Sequence, residues 1–195
     1  MFSGRARSTR FGFPGAPNLP IGDSVINVTN TGARSTVAFP TQNGNICVNV
    51  YTFSPDEQLI SCCACPVTPD GLVSLSAHND LISNTLTPGV PTSIVIKLLA
   101  SYPGAGACNA ATVGAQLIGD EAGMAAWGTT IHALPVTPGS PATTYGVTET
   151  KFTNATLSGA ELARITTLCG FIQTNGSGFG ICRSCRLGGL GATQQ

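Results

Sequence analysis

Eight cysteines constrain this chain more than any other feature: Cys47, Cys62, Cys63, Cys65, Cys108, Cys169, Cys182 and Cys185. The count is even and only two histidines are present. A disulfide framework therefore accounts for all eight at once. Disulfides persist in oxidising places, so the chain is expected outside the cell or at its surface. Two clusters, Cys62-Cys63-Ala64-Cys65 and Cys182-Arg183-Ser184-Cys185, have the outline of zinc knuckles. Four thiolates could hold Zn tetrahedrally. Adjacent cysteines are sterically awkward in a knuckle, however, and Cys47, Cys63, Cys108 and Cys169 would still need partners. Bridges are expected, with no metal and no cofactor. Cys169 is expected to join the 182–185 region, because a helix leads straight into it. The 62–65 cluster is expected to reach two different partners, pinning a loop between strands.

Charge is the second constraint. Asp, Glu, Lys and Arg make up 9% of the 195 residues, with nine of each sign. Soluble domains usually carry about 25%. With no basic surplus to neutralise phosphates, a generic nucleic-acid binder is excluded, as is a polybasic membrane-surface protein. No run of about 18 apolar residues exists, so no segment reads as a membrane-spanning helix. The surface must be built largely from Thr, Ser, Asn and Gly. Such a surface suits a protein that packs against copies of itself, or one that carries sugar. Asn27-Val28-Thr29, Asn154-Ala155-Thr156 and Asn175-Gly176-Ser177 are acceptor sequons, which makes Asn27, Asn154 and Asn175 the glycosylation candidates. Residues 1–15 show no apolar run of the signal-peptide kind. Export therefore implies that the chain is a mature or trimmed form.

Along the chain, residues 1–22 read as an extended N-terminal arm, rich in Pro, Gly and Arg and without a periodic apolar face. Phe11 and Phe13 sit two apart, so in an extended chain both rings point to one side. Such an arm could add a strand to another subunit and seat its phenylalanines there as the subunit contact. The plainer reading is a tail with incidental aromatics. Residues 23–195 read as one disulfide-stabilised domain. Short β-type runs follow one another: Val25 and Val28, Thr36 to Phe39, Ile46 to Phe53, Gly71 to Ser76, Ser93 to Ala100, Thr129 to Val136 and Thr143 to Phe152. Turn signals such as Asn43-Gly44, Pro69-Asp70-Gly71 and Pro138-Gly139 separate them. In Ile46 to Phe53 the residues Ile46, Val48 and Val50 face one way. Cys47, Asn49, Tyr51 and Phe53 face the other. Ser158 with Glu161 has capping-box form. Leu162, Ile165, Leu168, Cys169 and Ile172 recur at helical spacing until Asn175-Gly176. That stripe predicts a helix bridged to a sheet through Cys169. A short helical turn is expected at Asn79 to Asn84, and Ala110 to Ala126 reads as irregular. The predicted fold class is mainly β: an antiparallel sandwich, Greek-key-like, with one late α-helix.

Catalytic signatures are sparse. A hydrolytic triad needs Ser or Cys, His and a carboxylate converging in space. His78 has Asp80 near it in sequence, and His132 has Asp120 and Glu121. There is no Gly-x-Ser-x-Gly elbow, His-Glu-x-x-His or phosphate loop. Gly176 to Gly180 follows a helix, the wrong order for phosphate binding. Acid pairs for glycoside hydrolysis could be drawn from Asp56, Glu57, Asp120, Glu121, Glu149 or Glu161. A sugar cleft rich in aromatics has only Trp127 and three Tyr to draw on, and Trp127 reads as core or subunit contact. No catalytic residue is assigned.

The segments SCCACPVTPDGLVSLS, NDLISNTLTPGVPTSIVIKLLA, AWGTTIHALP and VTETKFTNATLSGAELARITTLCGFIQTNGSGFGICRSC resemble a group of uncharacterised exported, Cys-rich proteins of Acidobacteria-like bacteria. The likeness spans about Ile46 to Gly191. It implies export and an extracytoplasmic setting, and carries over no functional residue. Together these features predict a structural protein that associates with itself, such as a filament or surface-layer subunit joined by its N-terminal arm. A secreted module binding glycan or another ligand is the alternative, and a secreted hydrolase the third. The expected partner is the chain itself, with glycan as the alternative and neither nucleic acid nor a membrane span.

Overall fold

The computed structural model describes residues 7–9, 23–33, 44–103, 108–113, 123–134, 139, 145–182 and 186–187. Phe11, Phe13, Thr36 to Phe39, Asp120, Glu121 and Cys185 lie outside the described residues.

Among the described residues nine strands form two antiparallel sheets. One sheet has the order β1 (Arg7–Thr9), β6 (Val95–Ser101), β3 (Ile46–Phe53), β4 (Leu59–Val67). The other has the order β8 (Tyr145–Lys151), β7 (Met124–Ala133), β2 (Ser24–Asn30), β5 (Leu72–Ser76), β9 (Arg186–Leu187). Between β2 and β7 the chain changes sheet at β2–β3, β4–β5, β5–β6 and β6–β7. This is the expected Greek-key-like sandwich with one late helix, α1 (Gly159–Thr174).

β3 shows how the layers stack. All eight of its residues are buried. Ile46, Val48 and Val50 join Ile26, Val28, Leu75, Ile96 and Leu98 in the core between the sheets. Tyr51 and Phe53, on the opposite face, join Leu99, Ile165, Cys169 and Ile172 beneath α1. Successive strand residues point to opposite faces, so a strand with no polar side must be covered twice. The sheet that holds β3 is therefore the middle layer, with the second sheet on one face and α1 on the other.

α1 begins as its sequence dictates. The Ser158 hydroxyl accepts from the Glu161 N–H at 3.1 Å, a cap worth about 1 kcal/mol. The other half of the expected box is replaced: the Glu161 carboxylate pairs with Lys97 of β6. Asn175 caps the C-terminus, and Gly176 follows with φ +71°. Ile165, Cys169 and Ile172 are buried, while Leu168 lies on the exposed flank.

Three local expectations change. The short helical turn is a single π-turn, Ala77–Leu81, capped by Ser76. β7 starts at Met124, inside the stretch read as irregular, because its first inward residues are Met124, Ala126 and Gly128 and carry little apolar signal. Leu59–Val67 is a strand, not a loop between strands, so the 62–65 cluster sits within β4. Residues 7–9 of the arm pair with the chain's own β6, Arg7 opposite Leu98 and Thr9 opposite Ile96.

Candidate functional site

The cysteine pairs follow from strand alternation. Cys62 and Cys63 are neighbours on β4 and point to opposite faces. Cys62 lies under α1 and bonds Cys169, Cα–Cα 6.0 Å. Cys63 faces the other way and bonds Cys182, Cα–Cα 5.5 Å. Cys47 of β3 bonds Cys108, Cα–Cα 5.5 Å. The expected helix-to-sheet bridge is present, and the cluster makes three bonds where two partners were expected. The expected bond from Cys169 to the 182–185 region is absent. Cys169 is on the inward stripe of α1, directly over Cys62, whereas Cys182 comes back along the free edge of β4. Cys65 is bridged as well, to a partner outside the described residues. Every described cysteine is thus bridged, and bridged sulfur offers no thiolate to a zinc ion.

The return along β4 needs one particular glycine. Gly180 has φ +80°, and a Cβ there would stand 2.8 Å from Ile172 Cγ2. Without a side chain, the segment slips between α1 and Leu86. Its carbonyl accepts from Cys62 N–H at 2.9 Å, and Cys182 N–H donates to Cys62 O at 3.3 Å.

His78 does not assemble a hydrolytic site with its sequence neighbour Asp80. The Asp80 carboxylate is buried and accepts from the backbone N–H of Ser76 at 2.7 Å. The exposed His78 ring meets Asn79 Oδ1 through Nδ1 at 3.4 Å. Asp23 accepts from Ser24 N–H at 2.8 Å, from His78 N–H at 3.0 Å and from the Ser76 hydroxyl. This network clips the start of β2 to the π-turn, and its hydroxyl is held by a carboxylate with no imidazole between them. His132 contributes backbone to the β7–β8 ladder opposite Gly146; its side chain lies outside the described residues.

A groove of about 630 Å³ opens between the N-terminal half of α1 and the outward face of β3 and β6. Phe53, Val95 and Leu99 form its floor, and Leu157, Ala160, Ile165 and Leu168 its wall. Glu57, Lys97, Glu161 and Arg164 stand around it. Lys97 lies 5.4 Å from the Phe53 ring centroid and pairs with Glu161, so its charge is held over the aromatic face. The volume falls in the range of small-molecule sites. Behind it, Tyr51 is buried and donates to Ala110 O at 2.6 Å. Burial pushes its phenol well above the ordinary tyrosine range, so it is a fixed donor in the core rather than an acid.

The three sequons differ in setting. Asn27 is in the middle of a five-stranded sheet, where its amide donates to Thr129 Oγ1 at 3.4 Å and accepts from Ser74 Oγ at 2.7 Å. That cross-strand role leaves it badly placed for a glycan. Asn154 and Asn175 are exposed. Asn175 Oδ1 accepts from both the N–H and the hydroxyl of Ser177, at 2.8 and 2.6 Å. Trp127, opposite Asn27 on the outward face of that sheet, is half-buried.

No protein-family model, curated protein or solved structure matches this chain. The sequence reading missed the groove. Its floor and wall are about 60 to 100 residues apart in sequence, and a spacing pattern within one segment cannot report that approach. The one signal available was Lys97, a lone cation inside the apolar run SIVIKLLA.

Proposed function

We propose that this chain is a structural, self-associating extracellular protein, a filament or surface-layer subunit in which the N-terminal arm of one copy adds to β6 of the next. The observation that carries the reading is the edge of β6. It accepts Arg7–Thr9 as a three-residue antiparallel ladder, so this edge takes the arm's own sequence as a strand. A neighbour's arm offers the same sequence to the same edge. Exchange of identical elements costs little, and head-to-tail exchange propagates unless a ring closes.

The direction of the ladder supports a role for the phenylalanines. It runs from Arg7 opposite Leu98 to Thr9 opposite Ile96, so an arm in this register heads toward Val95. By strand alternation Phe11 and Phe13 of the incoming arm would share the face of Thr9, on the side of Ile96 and Leu98, and would meet the apolar margin between the two sheets, not the groove on the other face. The disulfides suit life outside the cell, where no reductant maintains thiols. A charge-poor surface suits close contact between copies.

Deleting residues 1–22 should abolish polymers while leaving a folded particle with unchanged far-UV circular dichroism. Undiminished polymers in negative-stain images of the deletion variant would overturn the mechanism. The groove also favours a second reading, a secreted ligand-binding module. That reading predicts a monomer by light scattering and a saturable ligand.

A further inference from the structure

We propose that β8 is a second contact surface, on which another copy of this chain pairs antiparallel about a two-fold axis at Thr148. This goes beyond arm exchange and uses the opposite sheet. Among the described residues β8 ends the order of its sheet. Phe152 N–H donates to Ala126 O of β7 at 3.1 Å. By the alternation of an antiparallel ladder, Gly146, Thr148 and Thr150 also turn their backbone groups toward β7. Tyr145, Val147, Glu149 and Lys151 then turn theirs outward, a row ready to pair with another strand.

Natural edges of this kind are guarded by proline, by a bulge or by charge. β8 contains no proline, and its register with β7 runs without a shift. Tyr145 and Val147 are 50% and 64% exposed, unusual for an aromatic and a β-branched residue on an edge. The two charges do not guard it against a copy paired about Thr148, where neither stands directly opposite its like.

Register decides the geometry. Outward residues must meet outward residues if hydrogen bonds are to form. An axis at Glu149 would set that carboxylate against itself, which is unfavourable. An axis at Thr150 would pair Glu149 with Lys151, but would place Tyr145 and Val147 beyond the other copy's β8. An axis at Thr148 engages all four outward residues of each copy. Val147 then faces Glu149, Tyr145 faces Lys151 within cation–π reach, and one sheet continues through both copies.

The test uses the full chain. With the axis at Thr148, the two Thr148 residues form a non-hydrogen-bonded pair with Cα atoms about 4.5 Å apart, within disulfide range. Thr148→Cys should give a covalent dimer on non-reducing gels, with a 148–148 link in its peptide map. Thr150→Cys, facing Gly146, should give none. In the Thr148→Cys background, Val147→Glu places a carboxylate opposite Glu149 and should cut the dimer about tenfold, whereas Val147→Lys should retain it. Absence of the Thr148→Cys dimer, an equal dimer from Thr150→Cys, or equal effects of Val147→Glu and Val147→Lys would overturn the proposal. Polymers joined by the arm are scored separately in the microscope, so one contact can fail without the other.

Discussion

Replacing Cys62 and Cys169 together with alanine should lower the stability of the folded chain by about 2–5 kcal/mol and release α1 from the middle sheet. The bond closes a sequence separation of 107 residues, a long loop whose freedom it removes from the unfolded chain. It is also the covalent tie between helix and sheet. Without it, α1 rests on Ile165, Ile172 and the Lys97–Glu161 pair. A partly exposed ion pair contributes little, so the helix should open more readily than the sandwich beneath it. Urea denaturation gives the total loss, and amide hydrogen exchange assigns it. Exchange should accelerate in residues 159–174 before it does in β3. Removing Cys63 and Cys182 should also cost stability, but should leave the helix protected. Unchanged helix exchange in the Cys62/Cys169 variant would contradict the assignment of this bond as the anchor of the third layer.

Leu98→Ala should cost about 2–5 kcal/mol. Leu98 is 0% exposed and lies between the sheets, opposite Val50 on β3. Truncation leaves a cavity where two rigid sheets meet, and neither can close over it without shifting its ladder. Leu168→Ala is the control, since Leu168 is on the open flank of α1 at 37% exposure. It should change stability by about 0.5 kcal/mol or less. A small loss at Leu98 would mean that the two sheets do not share the core described above.

The parts of this fold that could be read from sequence are those where one segment carries its own signal. β3 and β6 are contiguous β-branched and apolar runs between turn residues, and α1 has its cap, its stripe and its stop within 20 residues. β4 was hidden because Cys62, Cys63, Ala64, Cys65 and Pro66 suggest neither period two nor a strong β former. Burial of a cysteine pair on both faces removes the polar alternation that marks an ordinary strand. The first half of β7 was hidden for a related reason, its inward positions being small. The pairing of Cys169 depended on which face of which sheet α1 covers, and no local pattern encodes that. Glu161 behaved likewise: its capping role was legible, but Lys97 drew its carboxylate away from the helix end. For the candidate site, the arm and the missing charge could be read directly, whereas the β6 edge and the groove beside it exist only after folding.

The scarcity of charge links scaffold and function. Nine cations and nine anions over 195 residues leave long-range repulsion between copies weak. An exposed β8 and an arm-accepting β6 then lie in different sheets. Sedimentation velocity of the native, oxidised full-length chain over a hundredfold range of concentration tests this most directly. Self-association predicts a weight-average sedimentation coefficient that climbs steadily with concentration, beyond that of one copy. A single boundary at the coefficient of one copy, constant across the whole range, would contradict it.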